Sequence, residues 1–358
     1  MHETPNESVH LMVTSPPYYN APFDYPGLFK DYGEYLDLIR RVAKELRRVL
    51  VPGRIACFVT QDVRINGKLF PVAADIVRLM MDEGFFYRDR IIWRKPEGYI
   101  RISRRSGVLL QHPYPMYFYP DNLYEEILIL QNGEYQYPKI GLDRKDSQIN
   151  LREFSDNKWY LSVWDITNVL PFKGRLEEGI AAFPEEIPRR LIKLFTFVGE
   201  TVLDPFLGSG TTMKVAKELG RNSYGYEIDI ELKDIILKKV SFNQSTLTSQ
   251  TIEKLEIIER EDAKKLRTFL QERIKNQRSV AKKNVKPSLL SITSHAAFKE
   301  TKIPKRKSGW EKLKVALPTV KAVEERLKKA KERNLSSSYV RTLERLRAHY
   351  EKQQTNTS

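Results

Sequence analysis

Thr201-Val202-Leu203-Asp204-Pro205-Phe206-Leu207-Gly208-Ser209-Gly210-Thr211-Thr212 decides the fold. A short apolar run enters a turn with two glycines, and a helical pattern over Thr211–Leu219 leaves it. Glycines let backbone approach a ligand closely, and a helix N-terminus supplies free N–H groups. The stretch is neither a GxGxxG fingerprint nor a phosphate-binding P-loop, because no Gly-Lys-Ser/Thr follows. Nineteen residues after Gly208 comes Glu227, near the end of the strand candidate Ser223–Ile228. A carboxylate at the tip of the second strand is where nucleotide-binding α/β folds hold a ribose diol. The turn therefore predicts a ligand with a ribose and no required phosphate.

Working outward, apolar strands alternate with helical periods. Glu7 to Val13 reads as a buried strand stopped by Pro16-Pro17, and Tyr32 to Leu50 repeats apolar residues at helical spacing. Pro52-Gly53 is expected to end that helix before the strand Arg54–Thr60. A helix over Phe70–Asp82, strands over Phe85–Trp93 and Tyr124–Leu130, and a helix over Glu185–Phe197 follow. This alternation indicates an α/β fold with a mostly parallel sheet and helices on both faces. Between 94 and 122, and between 134 and 178, the periods weaken and Tyr, Pro, Arg and Gly dominate, as in recognition loops or irregular surface.

The second informative stretch is Thr14-Ser15-Pro16-Pro17-Tyr18. Prolines fix φ and remove backbone donors, so neighbouring carbonyls point at a set place. Ser15 Oγ and the Pro16 carbonyl would form two acceptors for one –NH2 group, and Tyr18 offers a flat ring for a planar substrate. An exocyclic amine of a nucleobase is a poor nucleophile because its lone pair is delocalised into the ring. Holding both N–H bonds in acceptors favours a pyramidal nitrogen and frees that pair for attack.

Together the two stretches resemble the beta class of S-adenosylmethionine-dependent DNA amino-methyltransferases. Asp204–Thr212 is similar to that family's cofactor motif, Thr14–Tyr18 to its catalytic Asp/Asn/Ser-Pro-Pro-aromatic motif, and Ala182–Ile187 to its Phe-Pro segment. Gly179 and Ile180 depart from the His-Pro often found ahead of that segment. The resemblance covers about residues 8–265. It implies a circularly permuted Rossmann-like domain over 1–270, catalysis by Ser15, Pro16, Pro17 and Tyr18, and cofactor contacts by Phe183, Pro184, Asp204, Pro205, Phe206, Gly208, Ser209, Gly210, Thr211 and Glu227. It also implies that Leu255–Ala263 is the displaced strand of the permuted order, with Asp262 near the cofactor adenine. Ser at position 15 goes mostly with cytosine N4, whereas Asp goes mostly with adenine N6. Asn in this setting occurs in enzymes that methylate a protein glutamine amide. An RNA or protein amino-methyltransferase, and a DNA-binding module with a vestigial cofactor site, are the competing readings. A flipped base stacked on Tyr18 is the expected substrate geometry. A neutral Ser is a weak proton acceptor, so the product is expected to lose its proton to water. A restriction endonuclease acting on the same site is an expected companion.

Arg94, Lys95, Arg101, Arg104 and Arg105, interleaved with Tyr99, His112, Tyr114, Tyr117 and Tyr119, have the residue types for phosphate contact and base stacking. The chain's net charge is +15, with 23 basic and 8 acidic residues between 271 and 358 and 38 of each sign before them. The segment 271–310 reads as a basic linker and 311–358 as a helical basic extension, with stripes over Val320–Ala330 and Tyr339–Tyr350. That extension is expected to dock on the enzyme or on another copy and to meet phosphates. The single cysteine, Cys57, lies in a buried-strand pattern, so cytosine carbon-5 chemistry, which needs a thiolate, is excluded. Five scattered His residues give no zinc spacing, and no metal is expected. No apolar run reaches the ~18 residues of a membrane span. The N-terminus lacks a hydrophobic signal core. A cytoplasmic protein without membrane contact is expected.

Overall fold

The computed structural model describes residues 1–20, 28–65, 67–96, 113–135, 142–167, 182–240 and 254–263, parts of 265–272, residues 320–332 and parts of 340–348. The chain divides into two compact units, Met1–Ser294 and His295–Ser358.

The first unit is built on a seven-stranded sheet. In chain order its strands are β1 (Val9–Thr14), β2 (Leu50–Thr60), β5 (Phe86–Arg94), β6 (Tyr124–Gln131), β7 (Val163–Asp165), β8 (Thr201–Asp204) and β9 (Asn222–Gly225). A small hairpin, β3 (Val63–Ile65) with β4 (Lys68–Phe70), stands apart. The sheet order is β7-β5-β6-β2-β1-β8-β9, and only β6 runs antiparallel to its neighbours. From β1 the chain builds outward on one side, and from β8 it builds outward on the other. The sheet's switch point therefore falls between β1 and β8, where ligands bind beyond the strand C-termini of open α/β sheets.

Side-chain alternation along the central strands explains why both faces are covered. Met12, Ala56, Phe58, Leu128 and Leu130 point into one core, against α1 (Tyr32–Val49) and α2 (Val72–Asp82). Leu11, Val13, Ile55, Cys57, Val59, Ile127 and Ile129 point into the other. Trp93, Trp164 and residues of the helices Glu186–Phe195 and Thr211–Glu218 complete that second core. Along α1 the buried positions Tyr35, Ile39, Val42, Ala43, Leu46 and Val49 form one stripe, and Asp31 caps the helix by accepting from the Glu34 N–H at 3.0 Å. Numbered in chain order, Leu151–Asp156 is α3, Glu186–Phe195 is α4, Thr211–Glu218 is α5, Lys233–Val240 is α6 and Val320–Glu332 is α7. In the second unit, α7 buries Val323 and Leu327, and Leu343 is also buried. No helix among the described residues is long and apolar enough to cross a membrane.

The strand–helix alternation follows the sequence, with corrections. Pro52-Gly53 does not separate α1 from the next strand, because β2 begins at Leu50 and runs through both residues. Pro52 lies between the Val9–Leu50 and Leu11–Ile55 pairs, where the β1–β2 register shifts, and outside the β6 pairs, so its missing N–H falls at an unpaired position. Gly53 has φ +81°, and a Cβ there would lie 2.5 Å from the Tyr135 Cα. The strand expected to reach Ile228 ends at Gly225. The weakly periodic stretch after 134 contains α3 and the edge strand β7. Leu255–Ala263 does not form the displaced strand. Residues 254–260 pair with no strand and stand exposed, including Leu255, Ile257 and Ile258. Ion pairs from Glu259 to Lys233 and from Arg260 to Glu3 hold this segment instead of ladder hydrogen bonds.

Candidate active site

The two motifs meet at the switch point because β1 and β8 are hydrogen-bonded neighbours. Thr14, the last residue of β1, donates from Oγ1 to Asp204 Oδ1 at 2.6 Å. Asp204 ends β8 and also accepts from the Phe206 N–H at 3.1 Å. Burial pushes the Asp204 carboxyl up to about 6, against the lowering pull of hydrogen bonds from Thr14, Thr212 and Phe206. Thr212 Oγ1 reaches back to the Val13 carbonyl at 3.4 Å, so α5 is stitched to β1 as well. Ser15, Pro16, Pro17 and Tyr18 leave from this junction.

The glycine turn has the geometry expected of a ligand cradle. Gly208 and Gly210 adopt φ +54° and +86°, a region that side chains strain to enter. The Gly208 N–H donates to Glu227 Oε2 at 2.8 Å, and the Asp229 N–H donates to Oε1 at 2.8 Å. The carboxylate lies just beyond β9, where the sequence spacing puts it, and these N–H groups fix it against the turn. Burial raises its proton affinity, and the N–H groups of Asp229, Gly208 and Ile228 oppose that. Ser209 and Thr211 are buried, and Lys239 on α6 donates to their hydroxyls at 2.9 and 2.7 Å. Pro184 is buried and Phe183 packs on the second core. The adjacent Glu185 accepts from Lys214 of α5 at 2.7 Å, which brings the Phe-Pro segment beside the cradle helix.

Other expected residues lie elsewhere. Asp262 is on the surface and accepts from Arg260 at both oxygens, at 3.0 and 2.7 Å. Its side chain is 69% exposed and sits on a segment that pairs with no strand, so the displaced strand expected to carry it towards the cofactor adenine is not formed. Lys95 is not a surface phosphate ligand: its side chain is only 9% exposed and pairs with Glu125. Arg94 is exposed but engages Asp165. Arg101, Arg104 and Arg105, with Tyr99 and His112, lie outside the described residues. Of the aromatic stretch that follows them, Tyr114, Met116, Tyr117 and Phe118 stand exposed, and Arg64 lies over the Tyr119 ring at 5.2 Å. Cys57 is fully buried and burial pushes its thiol far up, so it offers no nucleophile. Among the described residues no cluster could hold a metal ion.

The structure also brings in residues that the sequence reading did not single out. Tyr18 is buried, and its hydroxyl donates to Glu125 Oε2 at 2.7 Å. Glu125 is the second residue of β6, the antiparallel strand, so its position near the strand start puts it at the same edge as the ends of β1 and β5. Glu125-Glu126 at the head of an apolar strand was the available signal, since carboxylates are rarely buried unless paired. Tyr19 anchors the Ser15–Tyr18 segment in an aromatic cluster, with ring centroids 4.8 Å from Phe70 and 5.0 Å from Tyr32. Asn20 then brackets Phe29, donating to its carbonyl at 2.7 Å and accepting from its N–H at 2.9 Å.

Comparison with known proteins places this arrangement. The family model described as DNA methylase, of the N6/N4 methyltransferase type, matches residues 9–238, a span holding both motifs. The Type II methyltransferase M.MjaI of Methanocaldococcus jannaschii is 36% identical over 284 residues, 69% of this chain and 90% of that protein. The Type II methyltransferase M.MthZI of Methanothermobacter thermautotrophicus is 30% identical over 67% of this chain and 74% of that protein. TTHA0409 of Thermus thermophilus was solved in complex with S-adenosyl-L-methionine. It superposes with a TM-score of 0.52 at 31% identity, over 67% of this chain and 88% of that one. The chain belongs to the N6/N4 family of DNA methylases.

Proposed function

We propose that the protein methylates the exocyclic N4 of cytosine in double-stranded DNA, with S-adenosyl-L-methionine as the methyl donor. The Thr14–Asp204 hydrogen bond carries this reading, because it holds the start of the amine-binding segment against the strand that leads into the cofactor cradle. The donor set suits S-adenosylmethionine. Glu227 offers carboxylate oxygens to a ribose diol, and the turn around Gly208 and Gly210 leaves backbone without Cβ atoms beside it. Phe183, Pro184, Asp204, Pro205, Phe206, Ser209 and Thr211 would form the rest of the wall. When bound, the cofactor supplies an electrophilic methyl on a sulfonium, whose departure needs no metal.

Ser15 Oγ and the Pro16 carbonyl accept the two N–H bonds of the target amine, and Pro17 fixes the turn that presents them. Tyr18 supplies the stacking ring for a base turned out of the duplex. Flipping costs about a few kcal/mol, and one aromatic platform returns about 1–3 kcal/mol. Much of the rate then comes from positioning. Ser at position 15 favours cytosine, as the family resemblance implies. Adenine N6 is the second reading, since the family includes both. The exposed aromatic run 114–118 would face DNA, and a restriction endonuclease of the same specificity would be the functional partner. Incubation of the protein with methyl-labelled cofactor and duplex DNA, followed by nucleoside analysis, tests this directly. N4-methylcytosine is expected. N6-methyladenine would overturn the base assignment, and label only in RNA or protein would overturn the substrate.

A further inference from the structure

We infer that Ser15, Tyr18 and Glu125 form a proton relay that takes up the proton released by the target amine, with Lys95 balancing the charge at its far end. The inference rests on the proposed placement of the amine at Ser15. Three contacts define it. Ser15 Oγ donates towards the Tyr18 hydroxyl at 3.5 Å, Tyr18 donates to Glu125 Oε2 at 2.7 Å, and Lys95 pairs with Glu125 Oε1. Both hydroxyl donors point the same way, from the amine site towards the carboxylate. The first link is long, as catalytic hydrogen bonds often are before substrate binds.

The chemistry calls for such a path. When the amine's lone pair forms the new C–N bond, the C–S bond of the donor breaks and its electron pair stays on sulfur. The nitrogen then carries a positive charge and one hydrogen more than the product. A serine hydroxyl cannot keep that proton, but it can pass one on. Ser15 accepts the amine proton and gives its own to Tyr18, and Tyr18 gives its own to Glu125. Both hydroxyls are restored, the methylated amine is neutral, and Glu125 holds the proton until it exchanges with water. Proton withdrawal as the C–N bond forms also raises the electron density on a nitrogen that is otherwise a poor nucleophile. The route replaces direct loss to water, which the burial of Tyr18, Glu125 and Lys95 disfavours.

Topology supports a dedicated role for Glu125. It faces Trp93 across the β5–β6 ladder, one step from the strand end that places Lys95. A buried ion pair is a weak source of stability, so its position beside the catalytic tyrosine points to use. The competing explanation is that Glu125 only holds the Tyr18 ring still.

Two near-isosteric variants separate these explanations. Tyr18→Phe keeps the ring and breaks the relay, and Glu125→Gln keeps a hydrogen-bond acceptor for Tyr18 but not a proton acceptor. Single-turnover methyl transfer to duplex DNA should fall about 100-fold in each and no further in the double variant. Affinity for S-adenosylmethionine and for DNA should stay unchanged, and Glu125→Asp should recover part of the rate. The wild-type rate should show a solvent deuterium effect with a bowed proton inventory, and both variants should lose the bow. A wild-type rate in Tyr18→Phe, multiplied losses in the double variant, or weakened ligand binding in either would overturn the relay. Nucleoside analysis of the wild-type product keeps the two questions apart. If the wild-type protein leaves DNA unmethylated, the function is wrong, whereas a methylating enzyme indifferent to Tyr18→Phe loses only the relay.

Discussion

Thr14 and Asp204, 190 residues apart in sequence, share a buried hydrogen bond of 2.6 Å that joins the Ser15–Tyr18 segment to the glycine turn after β8. Asp204 is buried and its carboxyl is raised to about 6. A carboxyl raised on folding binds more protons in the native state than in the unfolded chain between about pH 4 and 6. It therefore costs the fold nothing below pH 4, progressively more as pH rises, and its full penalty above 6. Measured from the ordinary aspartate value of 3.8, that penalty is about 3 kcal/mol at most. Asp204→Asn removes the titration, so thermal unfolding of the cofactor-free protein should show the variant gaining on wild type between about pH 4 and 6 and no further above that. A pH-independent difference would mean that Asp204 is ionised throughout. Thr14→Val should destabilise by about 1.5–3 kcal/mol, because it strips a hydrogen bond from a buried charged group.

Gly210 precedes α5 with φ +86°, and a Cβ there would lie 3.3 Å from Ile236 Cγ2. Gly210→Ala should destabilise by about 1–2 kcal/mol from backbone strain. It should also weaken S-adenosylmethionine binding, since the turn must shift to accept the methyl. Equilibrium dialysis and denaturant titration measure both. Retained affinity with lost stability would confine the glycine to a structural role.

Asp262 lies on the surface with Arg260, and exposed ion pairs contribute little. Asp262→Ala should leave S-adenosylmethionine affinity within about twofold and the denaturation midpoint unchanged. A tenfold loss of affinity would show that the segment closes over the cofactor when it binds.

Residues 271–358 hold all of the net charge. Deleting 275–358 should weaken binding to every duplex alike and flatten the dependence of log K on log salt by several multiples of about 0.9. Sequence preference should be unchanged. An unaltered slope would assign the tail to contact between protein chains.

The α/β class, the order of the two motifs and the position of each at a strand end were all legible in the amino-acid sequence. These are local properties: apolar alternation, prolines that stop a strand, and glycines that only a turn needs. The place of Glu227 just beyond the second strand of the strand–turn–helix–strand unit was legible for the same reason, whereas its hydrogen bond from the Gly208 N–H was not. The meeting of Lys95 and Glu125 was not legible. Thirty residues separate them, and a charged residue before a loop has the same composition whether it faces phosphate or a buried carboxylate. Their meeting depends on β6 running against its neighbours, which puts the start of that strand beside the end of β5. The same limit explains Leu255–Ala263, whose apolar letters suit a strand but whose pairing needs a free edge in register. Tertiary structure alone decided whether such an edge was taken, because ladder hydrogen bonds and ion pairs form between segments that no local pattern connects.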